Sequence, residues 1–155
     1  MTTKPHSKLD SGTAREIAES CLANALRRAD RAAMQYYDEA LRPFGLKMTQ
    51  MSLLVALRLT APVTVQKLAS TMVMDRTTLT RNLGALERRG LVAIAPGEDR
   101  RTRQVSLSRK GHALLAKAYP AWGKAQARVE RQLGGERTRR LVAELAGTAE
   151  TLGRR

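Results

Sequence analysis

Residues 63–111 read VTVQKLASTMVMDRTTLTRNLGALERRGLVAIAPGEDRRTRQVSLSRKG, and the order of signals in this stretch decides the fold. Thr64 is placed to cap a helix in which Val65, Leu68, Ala69 and Met72 recur at helical spacing. Met74 and Asp75 open a second helix, with Asp75 as its cap and Leu79, Leu83 and Leu86 as its apolar stripe. At about 100° per residue, Thr77, Arg81, Gly84 and Arg88 point away from that stripe, and Arg76, Thr78 and Thr80 flank them at the N-terminal end. Gly90 suits a helix C-terminus, and Leu91 to Ala95 read as a short strand. Pro96 and Gly97 turn the chain, and Arg103 to Leu107 return it with Val105 and Leu107 alternating inward. Two capped helices followed directly by a basic hairpin are the order of a winged helix-turn-helix.

The second helix carries what a recognition helix requires, with leucines inward and Thr and Arg outward at the end that enters a major groove. A polar helix face is more often simply solvated, and the hairpin decides between the two readings. Its loop, residues 98–102, holds Asp99, Arg100 and Arg101. Residues two apart in extended chain share a side, so Asp99 is placed to brace the Arg101 guanidinium while that side chain reaches a phosphate or the minor groove.

The totals favour a polyanionic partner. Lys and Arg number 28 against 14 Asp and Glu in 155 residues, a net charge of +14. Hydrophobic residues make up 43% of the chain but aromatics only 3%, a composition suited to helix packing on helix. The chain has the length of one domain with a core of its own. No apolar run approaches the roughly 20 residues needed to span a bilayer, and the N-terminal MTTKPHSKLDSGT lacks the apolar core of a signal peptide, so a cytoplasmic protein with no membrane association is expected. Cys21 stands alone and reads as a small buried hydrophobe on a helix. His6 and His112 have no nucleophile or metal-ligand spacing near them, so no enzyme activity, cofactor or metal is expected.

Outside the opening stretch, residues 1–12 read as a disordered tail. A long helix is expected from Thr13 to about Leu41, capped by Thr13 with Glu16 and ended by Arg42 and Pro43. Thr49 is placed to cap a helix carrying Met51, Leu53, Leu54, Val55 and Leu57, which Thr60, Ala61 and Pro62 stop. Ser108 caps a long helix through Leu133 that Pro120 should kink, and a last helix follows Gly134 and Gly135. A winged helix needs none of this flanking length. The expected organisation is therefore a dimerisation region of residues 13–48 and 108–155 around a winged helix-turn-helix of residues 49–107. The fold class is mainly α, with N- and C-terminal dimerisation helices and a small β-hairpin wing.

The run LASTMVMDRTTLTRNLGALERRGLV, leading into DRRTRQVSLSRKG, resembles the MarR-type transcriptional regulators. The resemblance extends from about Cys21 to the C-terminus, and the Asp99 and Arg101 pair matches the family's wing signature. It implies a homodimer whose recognition helices enter successive major grooves of a pseudo-palindromic operator in double-stranded DNA, about 10 base pairs apart between half-site centres. Arg76, Thr77, Thr78, Thr80 and Arg81 are the major-groove candidates, and Thr64, Gln66, Lys67, Arg100 and Arg103 the phosphate candidates. Arg101, with Asp99, is the wing-tip contact. The resemblance also implies release by a small aromatic carboxylate or thioester effector, with Tyr36, Tyr37, Met48 and Met51 lining a cleft and Arg27 or Arg31 meeting a carboxylate. For those tyrosines and methionines, core or interface filling is the competing role. A nonspecific or RNA-binding winged-helix protein is the alternative function.

Overall fold

The structure is a computed structural model and describes residues 10–97, 99 and 101–153. The expected tail lies outside the described residues up to position 9, but Ser11 and Gly12 are helical. The chain divides into two units, residues 1–35 and 36–155.

The first unit holds helix α1 (Ser11–Ser20) and most of α2 (Leu22–Leu41). The expected single helix from Thr13 is thus two helices, and its cap is Asp10, whose carboxylate accepts from the Thr13 amide at 2.7 Å. Cys21 sits at the break with ψ of 109°, half-buried rather than buried. Ser20 Oγ donates to the Glu16 carbonyl at 2.7 Å, a side-chain bond that competes with the helical ladder where it fails. Ile17 and Leu22 are 48% and 54% exposed.

The second unit is built around the helix-turn-helix. A 3-10 turn (Arg42–Phe44) and Gly45, at φ +62°, lead into α3 (Met48–Thr60). The cap of α3 is not Thr49. The Met48 amide donates to Asp38 Oδ1 at 2.7 Å and the Lys47 amide to Gln50 Oε1 at 3.1 Å, so a carboxylate from α2 takes up the free donor. Strand β1 (Val63–Thr64) precedes α4 (Val65–Thr71), which Thr64 caps through the Lys67 amide at 3.1 Å. Helix α5 (Arg76–Arg88) is capped by Asp75 through the Thr78 amide at 2.8 Å. Both caps are those expected.

Helix α5 ends at Gly90, φ +68°, with Leu91 N–H returning to the Leu86 carbonyl at 3.0 Å. Strands β2 (Val92–Pro96) and β3 (Arg103–Leu107) pair antiparallel with Ile94 opposite Val105. The sheet order is β1-β3-β2, since Val63 pairs with Val105 and Thr64 with Gln104. This third strand, two residues long, ties the start of α4 to the hairpin. Helix α6 (Arg109–Leu133) starts at the expected Ser108 cap and runs unbroken through Pro120. Helix α7 (Gly135–Leu152) follows Gly134 at φ +84°.

Leu53, Leu54 and Leu57 of α3, Leu68 of α4, Leu79, Leu83 and Leu86 of α5 and Val105 of β3 form the core, each at most 1% exposed. The apolar stripes read from the sequence meet there, and Leu107 packs half-buried against them. A Leu→Ala change at such a site costs about 2–5 kcal/mol, so these residues hold α5 rigidly against α3 and α4. In contrast, Leu141, Val142, Leu145 and Leu152 of α7 are 39%, 60%, 40% and 61% exposed.

Candidate nucleic-acid interface

The first turn of α5 is set by its cap. Hydrogen bonds from the Thr78 side chain and amide hold the Asp75 carboxyl below its ordinary value, so it stays ionised at the helix N-terminus. Thr80 Oγ donates back to the Arg76 carbonyl at 2.7 Å, which fixes its rotamer and leaves the oxygen to accept. Arg76, Thr77, Thr80 and Arg81 together line a shallow depression on the exposed side of the helix. Thr78 is half-buried and its backbone is engaged at both ends, by Asp75 and by the Asn82 amide at 2.9 Å. Its place is in the cap rather than on the exposed face.

The hairpin tip closes through Gly97 N–H to the Thr102 carbonyl at 2.9 Å and Thr102 N–H to the Asp99 carbonyl at 2.8 Å. The bond between Asp99 and Arg101 runs from the Arg101 amide to Asp99 Oδ1 at 2.9 Å. The carboxylate therefore holds the backbone and not the guanidinium, because in a tight turn an Asp side chain reaches the amide two residues on. Arg100 lies outside the described residues.

A cleft of about 390 Å³ opens between the recognition helix and the wing. Of the residues expected to meet nucleic acid, Thr64, Gln66, Arg76, Thr80, Arg101 and Arg103 line it together. The β1 pairing delivers Thr64 and Gln66 to this place, since it lays the α4 N-terminus beside β3. Lys67 is exposed on α4 outside the cleft. Gly84, Glu87 and Thr102, none of them a candidate from the sequence, also line it, as do the apolar Val65, Leu83 and Ile94. The outward face of α5 included Gly84, whereas nothing short of the hairpin's placement identifies Thr102.

The expected effector residues separate. Met48 and Met51 line a second, largely apolar cleft of about 730 Å³ with Val55, Leu115, Tyr119 and Trp122, between α3 and α6. Tyr119 and Trp122 stack there with ring centroids 5.8 Å apart. Arg58 and His112 are its basic lining residues. Tyr36 and Tyr37 are not in that lining, because both point to α6 instead. Tyr36 Oη donates to Gln132 at 2.8 Å beneath the Arg128 guanidinium, and Tyr37 Oη donates to Gln126 at 2.7 Å. Burial, with the Glu130 carboxylate, pushes the Tyr37 phenol above its ordinary value. Arg27 and Arg31 lie on α2 within the first unit. Among the described residues no group of His, Cys, Asp and Glu is placed to hold a metal, and no helix is long and apolar enough to cross a membrane.

The profile of the MarR family matches residues 44–102, which is the stretch from the turn before α3 to the wing. The crystal structure of the Mycobacterium tuberculosis transcriptional regulator MosR in complex with DNA is 43% identical, covering 85% of this chain and 98% of that one, with a TM-score of 0.75. The chain belongs to the MarR family. The transcriptional repressor CouR, solved on a 23-mer DNA duplex, is 28% identical over 86% of this MarR-family chain and 95% of its own, with a TM-score of 0.77. CouR has also been solved with p-coumaroyl-CoA, at 27% identity, 86% and 94% coverage and a TM-score of 0.75. YwoH of Bacillus subtilis, an uncharacterized HTH-type transcriptional regulator, is 33% identical over 89 residues. That match takes in 57% of this chain and 65% of YwoH. As a MarR-family fold, the chain is a mainly helical winged helix-turn-helix with a three-stranded antiparallel sheet.

Proposed function

We propose that this chain is a homodimeric, cytoplasmic transcriptional regulator that represses by binding a pseudo-palindromic operator in double-stranded DNA. The observation that carries the reading is the cleft between α5 and the wing, where Arg76, Arg101 and Arg103 converge with the polar side chains of Thr64, Gln66 and Thr80. Arginines set phosphate register there, while Thr77, Arg81 and the end of Arg76 meet base edges from the depression beside it. DNA in the MosR and CouR complexes supports this assignment, and the description of CouR as a repressor supports the sign of control.

The apolar residues exposed along α7, Leu141, Val142, Leu145 and Leu152, are the surface that a second copy covers. For release, an effector must bind the DNA-competent conformer less well than the other. The cleft between α3 and α6 is the place for it: its volume of about 730 Å³ suits a small aromatic ligand, and Arg58 supplies a cation for a carboxylate. CouR, solved with p-coumaroyl-CoA, supports an aromatic acid or its thioester as the class. This replaces Tyr36 and Tyr37 as lining residues.

Gel-shift titrations against DNA from upstream of its own gene, a shuffled duplex and the corresponding RNA test the reading. A regulator prefers the upstream duplex by roughly a thousandfold or more. Equal affinity for all three, with a steep salt dependence, would instead make the protein a nonspecific nucleic-acid binder. Aromatic carboxylates are then titrated against the preformed complex, and failure of every one to release DNA removes the effector assignment.

A further inference from the structure

Gly84 stands inside α5, about two turns from its start and one from its end, where glycine is unfavourable by about 1 kcal/mol relative to alanine. Nothing among the described residues explains it. Its φ is not in the left-handed region, and a Cβ built there would meet only the tip of the Arg88 side chain, at an ordinary 3.7 Å. The contrast with Gly111 in α6 is direct, since a Cβ at Gly111 would collide with the Leu91 carbonyl oxygen. Gly111 is required by the fold, whereas Gly84 is not.

What Gly84 does face is the cleft. It lines the wall opposite Arg101, Thr102 and Arg103, one helical turn after Thr80 and two after Arg76. We infer that Gly84 is the seat of the DNA strand: a sugar-phosphate backbone lies in the cleft between α5 and the wing and packs directly on the helix backbone at this residue. Glycine is used where a ligand must approach the main chain closely. The arginines on both walls supply the charge that such a strand needs, and the Gln66 amide, also in the lining, supplies a further donor. Glu87, one turn further along α5 and also in the lining, repels phosphate and so limits how far along the helix the strand extends. The inference rests on the DNA-binding reading and adds to it a positioning residue that makes no hydrogen bond.

The test is Gly84→Ala in the full-length chain, assayed with the duplex from upstream of its own gene and with a shuffled duplex. The melting temperature is expected to rise by about 2–4 °C, the scale of one kcal/mol in a domain of this size. Affinity for both duplexes falls at least about tenfold, because a backbone contact is independent of sequence. The slope of log affinity against log salt stays that of wild type, since no charge has been removed. Gly84→Ser, slightly larger, weakens binding further. Binding by Gly84→Ala within twofold of wild type overturns the inference while leaving DNA binding intact. A lower melting temperature also overturns it, because the fold would then need the glycine. Wild-type protein that binds neither duplex overturns the DNA reading itself and this inference with it.

Discussion

The Arg89 guanidinium, at the C-terminus of the recognition helix, donates to the Gly45 carbonyl at 2.7 Å and to the Phe44 carbonyl at 3.2 Å. One side chain thereby fastens the end of α5 to the turn that introduces α3. Lys110 Nζ in turn donates to the Arg89 carbonyl at 2.8 Å, which carries the tie on to α6.

Arg89→Ala is expected to destabilise the chain by about 1.5 kcal/mol, the scale of hydrogen bonds from a charged donor. Arg89→Lys recovers less than half of that, because an ammonium lacks the planar fork that meets two adjacent carbonyls. Equilibrium urea unfolding of the two variants measures both values, and a Lys variant equal to wild type would show that charge alone matters.

Gly111→Ala is expected to destabilise by about 1–3 kcal/mol, despite the helical preference for alanine, because the added methyl meets the Leu91 carbonyl and comes within 3.0 Å of Leu107 Cδ1. The same substitution at Gly84 stabilises. Thermal melts of the pair read opposite signs, and like signs would contradict the distinction between a glycine the fold needs and one it does not.

The Asp75 cap gives a pH signature. Its carboxyl is held below 3.8 in the folded chain by the Thr78 hydrogen bonds, so its stabilising contribution is complete above that value and is lost as pH falls through the folded pKa. Asp75→Asn keeps a cap that does not titrate. The melting temperatures of wild type and Asp75→Asn, followed from neutral pH downward, are expected to differ most above the ordinary carboxylate range and to converge below it.

What could be read from the chain follows a physical division between local and distant causes. The Thr64, Asp75 and Ser108 caps are legible because each acts on its own neighbours within a few residues, whereas Pro96, expected in the turn, is the last residue of β2 because it pairs with Arg103, and the turn begins at Gly97. The cap of α3 was misplaced onto Thr49 because the acceptor for Met48, Asp38, lies on another helix. Strand β1 has two residues and no pattern of its own; only its partner Val105 makes it a strand. Arg89 carries no local signal that separates it from Arg88. Asp99 was aimed at the guanidinium of Arg101 from the alternation of an extended chain, but the hairpin tip is a turn, where the amide is nearer. The tyrosines of α2 enter an effector cleft only through the family resemblance, with packing as their competing role, and in the fold α6 offers both of them glutamine acceptors.

The most direct test of the central claim, that DNA is gripped between α5 and the wing, is the salt dependence of binding by Arg101→Ala. Isotherms for wild type and variant are measured on the duplex from upstream of the gene over a series of salt concentrations. Arg101→Ala is expected to weaken binding at matched salt by more than about 1 kcal/mol and to reduce the salt slope by about one. Unchanged affinity and unchanged slope would place DNA elsewhere on the molecule.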